Sequence, residues 1–161
     1  AKSNPSLIAP TLLEKYLQFL DSFDHHLNTM SGFHKTLIHN DFNTRNICLK
    51  SENGSMNLVA YDWELSAFHN PQRDLIEFLC SVMPQNSSKD DFDRYVKVYF
   101  KKLREITGID IPESEFLKVL KLNAYEYALV RLNLYLLVRN LMNLDFIEPL
   151  YKNLIRFGIE D

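Results

Sequence analysis

The residues able to do chemistry are concentrated in two short stretches, Leu37-Ile-His-Asn-Asp-Phe-Asn-Thr-Arg-Asn-Ile-Cys-Leu49 and Leu58-Val-Ala-Tyr-Asp-Trp-Glu64. In the first, His39, Asp41 and Asn46 stand as H-x-D-x-x-x-x-N; in the second, Asp62 closes an apolar run. A carboxylate and an amide five residues apart on a tight loop, with a second carboxylate brought alongside, are what metal-assisted phosphoryl transfer needs. One carboxylate orients the attacking hydroxyl and takes its proton, while the amide and the other carboxylate hold Mg²⁺ on the phosphates. With 5 His among 161 residues, 11 Asp and 14 Asn, composition alone gives roughly 0.03 such matches. The competing readings are ordinary: Asx-type turn bonds for Asp41 and Asn46, and a strand-end cap for Asp62.

These side chains must be positioned by the elements around them. From Thr11 to about Asn28, apolar residues recur at steps of three and four, and Thr11 with Glu14 reads as a capping box opening one helix. Lys35–His39 reads as a strand, Asn40–Arg45 as a polar turn, and Asn46–Lys50 with Asn57–Tyr61 as a hairpin around Asn53-Gly54. After Asp62 the pattern is helical throughout: about 72–82, 89–106, 111–143 and 145–157, punctuated by Pro84, Gly108 and Pro112. Segregated strands and helices predict an α+β, mostly α-helical fold. Residues 1–10 read as a linker and 11–161 as one domain, in which 37–64 carries the candidate catalytic loop and metal site and 72–161 forms a helical part.

Composition bounds the rest. The chain has 161 residues, 46% hydrophobic and 24% charged, with a formal net charge of -3, and its Lys and Arg are scattered, which argues against a nucleic-acid surface or a membrane anchor. Only 4 glycines are present, spaced too widely for a G-x-G-x-x-G turn or a Walker loop. Cys48 and Cys80 lack a C-x-x-C spacing and read as two buried thiols in a reducing, cytoplasmic setting. The apolar stretch Tyr125–Leu144 is interrupted by Glu126, Arg131 and Arg139, so it reads as a core helix. The adjacent His25 and His26 diverge on a helix and make no metal pair. Arg45 and Arg73 read as partners in surface salt bridges, Glu64 as an exposed loop carboxylate, and the ladder Tyr127, Arg131, Tyr135, Arg139 as a face paired with carboxylates of neighbouring helices.

The two stretches resemble the catalytic loop and metal-binding aspartate of the aminoglycoside phosphotransferase and choline kinase family, small-molecule relatives of the protein kinases. Asp62-Trp-Glu stands where kinases have Asp-Phe-Gly, and Asn70-Pro-Gln-Arg-Asp-Leu-Ile-Glu-Phe-Leu79 is similar to the family's helix-opening segment. The resemblance implies a protein-kinase-like C-terminal lobe. In it Asp41 is the catalytic base, Asn46 and Asp62 are Mg²⁺ ligands, His39 stabilises the loop, and Asp74 is an anchor that bonds it. It further implies ATP as co-substrate and a small-molecule hydroxyl as acceptor; no substrate-binding residue follows from it. Motif-level similarity spans about 35–80. Such kinases also need an upstream lobe that covers the phosphates, and the residues preceding the first strand read as a helix. The expectation is therefore one lobe of two, the other in the same polypeptide, with the isolated chain inactive. The competing expectation is a degenerate lobe acting as a binding or scaffolding module.

Overall fold

A computed structural model describes residues 10–132, 134–135 and 146–159. The N-terminal apolar repeat forms two helices where the sequence suggested one: α1, Pro10–Asp21, and α2, Phe23–Gly32. The break falls at Ser22, whose backbone leaves helical geometry at φ -106° and ψ 17°. Helix α1 already includes Pro10, whose missing N–H is harmless in a first turn, so Thr11 lies inside the helix and not at its cap. Phe19 is buried and stacks on His26 and on Tyr125 at 4.7 and 5.0 Å between ring centres, fastening this pair of helices to the body of the protein.

Four short strands follow, not three: β1, Thr36–Ile38, β2, Ile47–Glu52, β3, Ser55–Ala60, and β4, Ala67–His69. Strands β2 and β3 form the expected hairpin, with Ile47 opposite Ala60 and Leu49 opposite Leu58. Asn53 and Gly54 turn it at φ 51° and 78°, the paired left-handed geometry of a two-residue hairpin loop that Asn-Gly favours. Strand β4 is the unanticipated one. It pairs antiparallel with β1, Leu37 opposite Phe68, and a run of three residues is too short to show a period of two against the helical pattern that follows.

The helices are α3, Gln72–Val82, α4, Lys89–Thr107, α5, Glu113–Tyr127, and α6, Ile147–Asn153. Helix α5 starts only after Pro112 and runs on into a wide π-type turn over Ala128–Leu132; a second such turn, Leu154–Ile159, follows α6. The remainder of the helix expected over 111–143 lies largely outside the described residues. Helix α4 is closed at both ends by its own sequence: Ser88 and Asp91 exchange the two bonds of a capping box, and Gly108 ends it in left-handed geometry at φ 68°. The core runs through α3, α5 and the last turn. Ile76, Phe116, Val119, Ala124, Leu132, Leu154 and Ile159 are all fully or almost fully buried there. Packing is close enough that a Cβ on Gly158 would stand 2.9 Å from that of Ala124.

Candidate active site

Helix α3 holds the loop that carries Asp41. Asp74, in its first turn, turns its carboxylate toward the chain leaving β1: Oδ2 accepts the His39 backbone N–H at 2.6 Å and Oδ1 that of Asn40 at 2.9 Å. Its side chain thus serves a distant loop and not the helix's own N-terminus. His39 is buried, and its Nε2 lies 2.8 Å from the Tyr61 carbonyl, which can only accept; Nε2 therefore carries the proton. Three more bonds strap the segment around Asp62 to the same loop. The Tyr61 N–H donates to the Asn46 carbonyl at 3.0 Å, the Tyr61 hydroxyl to the Arg45 carbonyl at 2.5 Å, and Asn40 Nδ2 to the Leu65 carbonyl at 3.1 Å.

The backbone is strained where the two segments meet. Asn40 and Asp62 take left-handed φ of 59° and 63°, a region that costs about 1–2 kcal/mol for an ordinary residue and that Asn and Asp tolerate best. The straps on either side hold both in place. Asp62 itself is exposed and makes no capping bond.

Asp41 keeps about 15% of its side chain accessible. Its Oδ1 accepts Asn43 Nδ2 at 3.0 Å and the Tyr135 hydroxyl at 3.1 Å, and its Oδ2 accepts Asn46 Nδ2 at 2.7 Å. A carboxylate offers about four lone-pair positions. Among the described residues three are filled, and the open one is on Oδ2. Asn46 also donates to the Asp41 carbonyl at 2.9 Å, so its amide nitrogen is turned toward Asp41 and its carbonyl oxygen away. Burial pushes the Tyr135 hydroxyl well above its ordinary value, with the nearby Glu77 and Asp41 carboxylates adding to the effect; it stays protonated and donates.

Several residues read differently from sequence belong to this site. Arg73 is buried, not on the surface: its guanidinium meets Glu77 at 3.4 Å and lies 4.2 Å over the Tyr127 ring. The ladder that starts at the end of α5 turns its described Arg131 and Tyr135 to another partner than helix carboxylates. Arg131 donates to the Asn40 carbonyl at 2.5 Å and Tyr135 to Asp41, so both serve the loop that carries Asp41; Arg139 lies outside the described residues. Arg45 stands 3.9 Å from Asp41 and 4.2 Å over the Phe146 ring. Cys80 is buried, whereas Cys48 is exposed on β2, contrary to the expectation for both thiols. Asn43 and Glu77 were not singled out from sequence at all. Arg73 and Glu77 are four apart within the apolar run of α3, a charge pair on a face that otherwise reads as core, which was the available signal.

Asn46 and Asp62 supply oxygen donors of the kind Mg²⁺ takes. Among the described residues no three His, Cys, Asp or Glu side chains converge on one point. An amide oxygen and a carboxylate are hard oxygen donors of the type and small number that Mg²⁺ uses beside phosphate oxygens. Burial, despite Arg73 and Asn43, pushes the Glu77 carboxyl above its ordinary value.

The sequence match sets the class of protein, a kinase-like family acting on small molecules. The chain belongs to the ecdysteroid kinase-like family, whose model matches residues 3–109, about two thirds of its length. That span takes in the loop that carries Asp41, Asp62 and α3, and ends at the glycine-capped end of α4. The match supports the kinase-like class and does not show the aminoglycoside phosphotransferase and choline kinase family in particular. No curated relative matches the sequence. Among the described residues no helix is long and apolar enough to cross a membrane.

Proposed function

We propose that this chain carries the catalytic loop of an ATP- and Mg²⁺-dependent kinase that moves the γ-phosphoryl group of ATP to a hydroxyl of a small molecule. The observation that carries the proposal is the acceptor position that the described residues leave open on Asp41 Oδ2, beside Asn46. A substrate hydroxyl donating there is held for in-line attack. As its oxygen bonds to the γ-phosphorus, the bond from that phosphorus to the ADP oxygen breaks and the hydroxyl proton passes to Oδ2. Asn46 and Asp62 would hold Mg²⁺, which when bound neutralises charge on the phosphates. Asp74 and Arg131 act on the backbone just before Asp41, and the His39 ring on the Tyr61 carbonyl just before Asp62, keeping the two segments in register.

The family's name makes a steroid hydroxyl the first acceptor to test. The remaining partner we propose is a second lobe in the same polypeptide. The hairpin face formed by Leu49, Leu58 and Met56 stands 66%, 48% and 62% exposed, and an isolated two-stranded hairpin is marginal without a cover. The test is phosphate transfer from labelled ATP in the full-length protein, with an ecdysteroid and a cationic amino sugar as separate acceptors. Mg²⁺-dependent labelling of an acceptor is the expected result. ATP bound with no transfer to any hydroxyl would favour the scaffolding module, and tight Mg-ATP binding by residues 1–161 alone would contradict the need for a second lobe.

A further inference from the structure

Behind Asp41 lies a second carboxylate with no role in the steps above. Glu77 is fully buried on α3, and Asn43 between them is 2% exposed. The Asn43 side-chain NH₂ reaches both acids, Asp41 Oδ1 at 3.0 Å and Glu77 Oε1 at 3.1 Å. Its carbonyl oxygen accepts the Arg45 backbone N–H at 3.1 Å and Arg45 Nε–H at 3.3 Å. The amide cannot be turned over, because that would set oxygen against two carboxylates and nitrogen against two N–H donors. On the far side, Glu77 Oε2 faces Arg73, which is stacked on Tyr127. A continuous polar chain therefore runs from the rigid interior of α3 to one oxygen of Asp41.

Resting on the proposed phosphotransfer, we infer that Glu77 and Asn43 are positioning residues, which fix the rotation of the Asp41 carboxylate so that Oδ2 faces the incoming hydroxyl. The alternative orientation is on hand. Arg45 stands 3.9 Å from the same Oδ1, and without Asn43 only the Tyr135 and Asn46 bonds, among the described residues, hold the carboxylate against that ion pair. A buried acid is a poor way to gain stability, since an apolar residue of similar volume commonly holds a core as well or better. What Glu77 supplies that a leucine would not is an acceptor for the second Asn43 hydrogen. Held from both sides, Asn43 presents one orientation to Asp41 and no other.

The test uses the full-length protein, Mg-ATP and the acceptor that gives transfer. Asn43→Leu, which keeps the branch at Cγ but replaces the amide with bulkier methyl groups, is expected to lower kcat roughly 10- to 100-fold, the effect of displacing a reacting group by about an ångström, with KM for Mg-ATP unchanged. Glu77→Met should match it, and the Asn43→Leu/Glu77→Met double variant should be no slower than either alone, because the two act as a unit. Glu77→Gln, which keeps an acceptor oxygen, should restore most of the rate. If both side chains only hold the fold, the variants lower the melting temperature while kcat per folded molecule stays at the wild-type value. That outcome overturns the inference. Asp41→Asn separates the two claims. If it abolishes transfer while Asn43→Leu does not, the positioning role fails alone; if Asp41→Asn keeps full activity, the phosphotransfer reading fails with it. Independently of turnover, the Asn43 side-chain amide protons should exchange with solvent far more slowly than those of exposed Asn57, and lose that protection in Glu77→Met. Equal exchange for the two asparagines would contradict the bridge.

Discussion

Replacing Asp74 with Ala removes both acceptors that hold the backbone of His39 and Asn40, at 2.6 and 2.9 Å. A hydrogen bond to a charged group contributes about 1.5–3 kcal/mol, so the pair is worth about 3–6 kcal/mol. Asp74 is only half-buried, and water entering the gap replaces part of this, which places the expected loss near the lower end, about 3 kcal/mol. For a domain of this size that is a fall in Tm of about 6–12 °C. Asp74→Asn keeps one acceptor and should lose about half as much. Urea unfolding reads the global loss as a lower midpoint with unchanged m, and amide exchange at His39 and Asn40 reads the local one. Transfer activity should fall further than stability does, because the freed backbone is that of the residue before Asp41. A variant with an unchanged midpoint and unchanged exchange at those two amides would refute the anchoring role.

Gly158→Ala should cost about 1–3 kcal/mol by overpacking, since the added methyl meets Ala124 at 2.9 Å and Leu154 at 3.2 Å; a melting temperature within a degree of wild type would contradict this. Of the two thiols, Cys48 should react at once with a disulfide reagent and Cys80 only on unfolding, since Cys80 is fully buried and burial pushes its thiol far up; two fast equivalents would be the contrary result. Burial also raises Glu77, so between the ordinary glutamate value and its folded one the native state holds a proton that the unfolded chain has released. Stability from this group is therefore greatest below that window and falls as pH rises through it. Glu77→Gln does not titrate, and its unfolding free energy relative to wild type should climb with pH; parallel pH profiles would contradict the shift.

The local chemistry was legible in the sequence because it depends on short spacings. Asp41 to Asn46 is one loop, and Asn53-Gly54 dictates its own turn. The helices from α3 to α4 were equally plain, their ends marked by Pro84 and Gly108. What escaped was whatever is decided by tertiary contact. Strand β4 exists only because β1 lies beside it, and the N-terminal helix breaks at Ser22 without a Pro or Gly to announce it. Arg73 and Glu77 have the four-residue spacing of a surface ion pair, and only the packing of α5 over α3 buries them. Tyr135 and Arg131 lie some ninety residues from the loop they bond, a distance no local pattern spans.

The central claim is that Asp41 takes the proton of an acceptor hydroxyl while Asn46 and Asp62 hold the metal. Its most direct test is single-turnover transfer in the full-length protein at saturating Mg-ATP, with Mg-ATP affinity measured by calorimetry on the same preparations. Asp41→Asn is predicted to abolish transfer with affinity nearly intact, and Asp62→Ala to weaken Mg-ATP binding. Both variants retaining wild-type transfer and wild-type affinity would contradict the account.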